Sequence, residues 1–88
     1  MSRPQVLMYA TSWCPYCERA RRLLRDKGAN VREINVDASP QARAEMIARS
    51  GQHTVPQIFV GERHIGGCDD LYALDAGGGL ETLLNSGV

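Results

Sequence analysis

The apolar positions change period along the chain, and each change marks an element. Gln5 to Tyr9 is nearly all apolar (Val6, Leu7, Met8, Tyr9), the pattern of a short central strand covered on both faces. From about Pro15 to Lys27 the period becomes helical. Cys17, Ala20, Leu23, Leu24 and Lys27 share one face, while Glu18, Arg19, Arg21, Arg22, Arg25 and Asp26 look outward. Glu18 and Arg22 stand i,i+4 with the favourable polarity, and Gly28 ends the helix. Val31 to Val36 alternates, which predicts a strand with one better-buried face. Strand, helix and strand within about thirty residues form a βαβ unit, hence a parallel pair.

The second half repeats these signals in another order. Ser39 is a helix cap with Pro40 at the first helical position, and Gly51 stops that helix. Ala42, Met46 and either Ile47 or Ala48 are its core-facing residues. Gln57 to Val60 reads as a strand. Gly61-Glu62 fits a two-residue turn with glycine first, and Arg63 to Ile65 is its antiparallel partner. A third helix is expected from Asp70 to Ala76, with acids at its positive end. Gly77-Gly78-Gly79 breaks it, and Leu80, Leu83 and Leu84 mark a short last one. The order is βαβαββα with a terminal turn of helix, an α/β chain with a mixed sheet. No linker, repeat or low-complexity segment divides residues 1–88, so one domain is expected.

Composition narrows the function classes. The 88 residues carry a formal net charge of zero, which gives no reason to expect a nucleic acid or a membrane surface as partner. No apolar run approaches a membrane span, and Met1-Ser2-Arg3-Pro4 precedes no signal-like region. A cytoplasmic, reducing compartment is the expectation. Three cysteines are a poor disulfide framework.

Two of those cysteines hold the candidate chemistry. Cys14-Pro15-Tyr16-Cys17 falls where the first strand feeds the first helix, and Cys-x-x-Cys in that context reads as a thiol–disulfide redox site. With Cys14 as N-cap and Pro15 at the first helical position, the N–H groups of Tyr16 and Cys17 point back at the Cys14 sulfur. The helix dipole adds to this anion site. Cys14 is therefore the expected thiolate, and thiolate is the nucleophile. A free thiol is only a few per cent ionised at neutral pH, and holding it mostly ionised takes roughly 3 kcal/mol. The dipole supplies about 0.3–1 kcal/mol, at most about 2, so direct N–H···S bonds must supply much of the remainder. Cys17, one turn on and about 5–6 Å away at Cβ, is the more enclosed and is the natural resolving thiol.

Three motifs in order, Cys14-Pro15-Tyr16-Cys17, Thr54-Val55-Pro56 and Gly66-Gly67-Cys68-Asp69-Asp70, resemble those of the glutaredoxin family. Leu71-Tyr72-Ala73-Leu74-Asp75 is similar to the small bacterial dithiol type usually numbered three. The resemblance covers nearly the whole chain. It implies a thioredoxin-like fold with a four-stranded mixed sheet, and a glutathione-dependent thiol–disulfide oxidoreductase. It implies a cis bond before Pro56, with Val55 offering backbone groups to the cysteine of glutathione. It places the γ-glutamyl end at Gly67, the Cys68 N–H and Asp69, the sulfur beside Tyr16, and the glycine carboxylate at Arg43, with Gln52 and His53 as weaker candidates. Glutathione is then a co-substrate, glutathionylated or disulfide-bonded proteins are the partners, the protein is a monomer, and no metal is expected. Thr11 departs from the family pattern, in which a lysine is common three residues before the first cysteine. Trp13 is bulkier than the family leads one to expect.

Plainer readings stand beside these. Cys14 and Cys17 form half of a zinc site, but only Cys68, His53 and His64 remain to complete it. Cys68 alone is ordinarily a small buried residue. Asp69 is equally placed to cap a helix, and Arg43, His53 and His64 fit solvated positions. Two rival functions are a redoxin served by thioredoxin reductase and a module bridging an iron–sulfur cluster between subunits.

Overall fold

β1 (Gln5–Ala10) lies between β2 (Asn30–Asn35) and β3 (Gln57–Val60), and β4 (Arg63–Gly66) pairs with the far side of β3. These positions come from a computed structural model, which describes residues 4–85; the reading of Met1-Ser2-Arg3 lies outside the described residues. β1 runs parallel to β2, with Val6 opposite Val31 and Tyr9 opposite Ile34. It runs antiparallel to β3, with Val6 opposite Val60 and Tyr9 opposite Gln57. This is the expected four-stranded mixed sheet of a thioredoxin-like fold.

The apolar run of β1 has its reason in two cores, one on each sheet face. Val6, Met8, Ala10, Ile58 and Val60 face one side. There they meet α1 (Pro15–Asp26), α3 (Cys68–Ala76) and α4 (Gly79–Asn85) through Cys17, Ala20, Leu24, Leu71, Leu80 and Leu84. On the other side Tyr9, Phe59 and Val36 pack with Met46 of α2 (Pro40–Ser50). Ala42 and Ile47 join that cluster, so Ile47 rather than Ala48 faces inward. Each buried aliphatic side chain contributes about 25 cal/mol per Å² of apolar area removed from water.

Three local details differ from the sequence reading. Glu18 pairs with Arg21 at 2.6 Å, not with Arg22. Arg21 also reaches across to Glu33 of β2 through two contacts, at 2.6 and 2.7 Å. The competing acid on the neighbouring strand pulls Arg21 inward. α3 begins at Cys68, two residues early, because the Asp70 carboxylate accepts the Gly67 N–H at 3.0 Å and closes the first turn there. The third difference is a bulge: Gly66 opposes Ile58 and His64 opposes Phe59, which leaves Ile65 as an extra residue and carries β4 to Gly66. The end of α1 is as expected: Lys27 is its C-cap and Gly28 follows with φ 70°, and the Lys27 ammonium lies 2.8 Å from Asp75 of α3 and 3.5 Å from Glu81 of α4.

Candidate active site

The site starts where β1 ends. After Thr11-Ser12-Trp13 the chain turns at Cys14, whose extended backbone (φ −134°, ψ 107°) makes it the N-cap of α1, with Pro15 at the first helical position. The Cys14 Sγ accepts the Cys17 N–H at 3.2 Å. Of the two amides expected at that sulfur, this is the one that bonds it among the described residues. An N-cap side chain commonly bonds only one of the two candidate amides, and here the third helical residue takes the role.

The two thiols sit in different surroundings. Cys14 is half-buried, while Cys17 is fully covered by the first core. Burial pushes the Cys17 thiol up to about 12, and its hydrogen bond with Cys14 acts in the same direction. The Thr11 backbone and the Arg21 charge oppose these, less strongly. Cys17 is therefore a protonated thiol at neutral pH, facing the Cys14 sulfur. All three cysteines are free, so this is the dithiol form. Arg21, one turn beyond Cys17, is the nearby cation that the sequence reading placed outward. Its hydrogen bonds with Glu33 and the field of that carboxylate hold its guanidinium firmly protonated. The spacing Cys17 to Arg21, four residues along one helix face, was the available signal.

Beside the dithiol lies an open cleft of about 430 Å³, within the range of small-ligand sites. Its walls are Tyr16, the segment Thr54-Val55-Pro56 and the segment Gly67-Cys68-Asp69, with Gln52 at the margin. Val55-Pro56 is a cis peptide. Val55 and Cys14 pack on the same core cluster as Cys17 and Cys68, which brings the motifs together. Arg43 and His53 do not line this cleft; the Arg43 guanidinium lies 4.0 Å from the Asp37 carboxylate, at the start of α2. Burial raises the Cys68 thiol above its ordinary range, so its contribution to the wall is backbone and bulk. Gly66 has φ +119°, and a Cβ there would stand 2.8 Å from Asp70 Cγ. No other residue fits between the strand end and the carboxylate that starts α3.

One residue of the cleft was not singled out from the sequence, and a second was read there as a solvated position. Gln57, buried at the start of β3, and His64 of β4 both line it, with His64 Nε2 2.7 Å from Gln57 Oε1. A polar residue opening an otherwise apolar strand was the signal for Gln57. Trp13 is 94% exposed beside Cys14. Among the described residues no group of three or more His, Cys, Asp or Glu is placed to hold a metal ion.

A dithiol at the start of the first helix, with a cis-proline segment packed on the same core of a mixed four-stranded sheet, defines a thiol–disulfide oxidoreductase of thioredoxin-like fold. The sequence pattern of the glutaredoxin family matches residues 6–65. The chain is similar to a glutaredoxin of Pseudomonas aeruginosa, 52% identical over 83 residues that cover 94% of this chain and 99% of that one. It is 57% identical to glutaredoxin 3 of Escherichia coli over 79 residues, 90% of this chain and 95% of the relative. Among solved structures, a buckwheat glutaredoxin–glutathione complex superposes with a TM-score of 0.86 at 31% identity, covering 96% of this chain and 78% of that one. The chain belongs to the glutaredoxin family, and its high-identity relatives are bacterial members of it.

Proposed function

We propose that this protein uses glutathione to reduce glutathionyl mixed disulfides and protein disulfides, acting as a monomer in the cytoplasm through the single domain 1–88. One observation carries the reading. Tyr16, between the two thiols of α1, lines a cleft together with the cis-proline segment and the start of α3, and Cys14 and Val55 pack on one core cluster. The buckwheat relative, solved as a glutathione complex, supports the choice of ligand.

In the first step the Cys14 thiolate attacks the glutathionyl sulfur of a client. A new S–S bond joins Cys14 to glutathione, and the client leaves as a thiolate that takes up a proton. A second glutathione thiolate attacks the glutathionyl sulfur on Cys14. This releases glutathione disulfide and restores Cys14 with no net change in the protein. Against a protein disulfide, Cys14 forms the mixed disulfide with the client. Cys17 then loses its proton, attacks Cys14 and expels the client thiol, and two glutathiones later reduce the Cys14–Cys17 bridge. Burial, the largest cause of the raised Cys17 thiol in the dithiol form, does not depend on Cys14 and favours a protonated Cys17 in the mixed disulfide as well, which slows its attack and leaves glutathione time to meet the intermediate.

The bound tripeptide is assigned as follows. Val55 pairs with the cysteine of glutathione in strand fashion, between Thr54 and Pro56. Gly67, the Cys68 N–H and the Asp69 carboxylate take the γ-glutamyl end, where α3 begins. Tyr16 flanks the sulfur, and Arg43 is assigned to the glycine carboxylate, reaching it from outside the cleft wall. The test is a coupled assay on a glutathionylated peptide. Turnover is expected with glutathione and glutathione reductase, and not with thioredoxin reductase alone; the reverse result overturns the reading.

A further inference from the structure

We infer that Gln57 is a positioning residue, a brace that sets the segment Thr54-Val55-Pro56 for its ligand. The inference rests on the proposed use of glutathione and adds a residue to it. Gln57 is 2% exposed, the one buried polar residue among those described. A buried side-chain amide is costly unless every hydrogen-bonding group is met, and this one is. Its Nε2 donates to the Thr54 carbonyl at 3.1 Å and to Thr54 Oγ1 at 3.3 Å. Its Oε1 lies 2.7 Å from His64 Nε2.

The direction of the brace follows from these contacts. Both Thr54 partners are acceptors in this arrangement, so the amide nitrogen must face Thr54 and the amide oxygen must face His64. His64 Nε2 is then the donor in that pair. The imidazole is itself held, tilted over the Phe59 ring at 4.9 Å between centroids. Phe59 is anchored in the second core against Tyr9, edge to face at 6.1 Å. A line of contacts thus runs from the α2-side core through Phe59, His64 and Gln57 to Thr54. It ends next to Val55, whose backbone is assigned to pair with the tripeptide.

Thr54 needs such a hold. It is exposed and lies in the connection between α2 and β3, outside any strand ladder. With Pro56 buried on one side of Val55 and Gln57 gripping Thr54 on the other, both neighbours of Val55 are located. Without the Gln57 amide, Thr54 keeps only water as partner for these groups, and the segment gains alternatives that the ligand must close. The loss then appears as weaker binding and not as weaker sulfur chemistry, because Cys14 is capped from α1.

The experiment compares the wild type with Gln57→Leu and His64→Ala in the coupled glutathione assay, alongside the rate at which iodoacetamide alkylates Cys14. The expected result for Gln57→Leu is a rise in the KM for glutathione of about tenfold, the equivalent of about one lost hydrogen bond of 1.4 kcal/mol. Saturated turnover and alkylation are expected within about twofold of wild type. His64→Ala, on the exposed face of β4, is expected to raise the KM in the same direction by a smaller factor. It decides the matter if Gln57→Leu does not fold. An unchanged KM in a folded Gln57→Leu, or in His64→Ala where only that variant folds, overturns the inference. So does a parallel fall in alkylation and turnover, which marks a general structural role. Absence of glutathione-dependent turnover in the wild type itself overturns the functional reading instead, which separates the two failures.

Discussion

The first turns of α1 and α2 are built alike, and only one of them is capped by sulfur. Both begin at an extended N-cap followed by proline, with φ and ψ of −134° and 107° at Cys14 and −142° and 103° at Ser39. In both, the cap side chain accepts the amide three residues on: Cys17 N–H at 3.2 Å from sulfur, Ala42 N–H at 3.1 Å from oxygen. The backbone geometry at Cys14, the proposed nucleophile, is therefore an ordinary helix start. What distinguishes α1 is the atom placed in the cap, the buried second thiol facing it, and the cleft alongside. The difference teaches that the fold supplies the anion site at little cost, since any capped helix has one; the proposed chemistry needs sulfur in that cap, a second thiol facing it and the cleft alongside.

The largest effect expected from this comparison is that of Cys14→Ser. The hydroxyl is a good cap, so the helix start is retained and stability stays within about 1 kcal/mol of wild type. Both glutathione-dependent reactions fall to background, because an unactivated hydroxyl is no nucleophile towards disulfide. Assay and thermal melt on one preparation check the two halves. Residual turnover breaks the assignment of the nucleophile, and a collapsed melt breaks the likeness to Ser39.

Next comes Cys17→Ser, which keeps the cap but removes the facing thiol. Deglutathionylation of a peptide is expected to persist, since Cys14 and glutathione complete that cycle. Reduction of a protein disulfide is expected to fall by at least about tenfold, since no second sulfur of this chain then expels the client. Equal losses in the two assays would show that Cys17 matters for the site as a whole.

The buried thiol also links stability to alkali. Folding raises Cys17 from about 9.0 to about 12, and Cys68 moves in the same direction. Between those values the unfolded chain has released the proton and the folded chain still holds it. The folded state binds more protons there, so its stability falls as pH rises from about 9 towards about 12, by at most about 1.4 kcal/mol per pH unit for each such thiol. Thermal midpoints of the reduced protein at pH 8 and pH 10.5 should show the fall, and Cys17→Ser should show a shallower one. Identical slopes in the two proteins would break the link to Cys17.

How far the sequence carries this comparison depends on the range of the interaction concerned. Both caps were legible, because Cys14-Pro15 and Ser39-Pro40 are local signals and their amides lie three residues away. The strands were legible too: both faces of β1 are covered, and its residues say so. Arg21 was misread because its bond with Glu33, which draws it from the outward face, depends on β2 pairing with β1, and Glu33 is twelve residues distant. The early start of α3 hid in the Asp70 side chain, which had been taken as part of the acidic first turn and instead accepts the Gly67 N–H. Gln57 and His64 were missed for the same reason as Arg21, since their bond joins neighbouring strands across a hairpin. Of the proposed ligand contacts, those in the walls of the cleft were carried by motif. Arg43 lies outside those walls, on a helix whose distance from the ligand no short motif encodes.

The smallest effect sharpens the comparison from the side of the unreactive helix. Ser39→Ala removes the oxygen that meets the Ala42 amide and is expected to cost about 1 kcal/mol, a fall in Tm of roughly 4–8 °C for a domain of this size. Ser39→Cys puts a thiol in the cap of α2, as in α1, and is expected to cost less than alanine, because sulfur still accepts the amide. Ser39 belongs to neither the dithiol nor the cleft, so glutathione-dependent turnover should be unchanged in both variants. The decisive measurement adds Ser39→Cys to the Cys14→Ser protein. No activity should return, since the thiol at α2 has neither a buried partner one turn on nor a cleft beside it. Restored turnover would show that a capped sulfur alone suffices, and that the surroundings of Cys14 have been given too large a share.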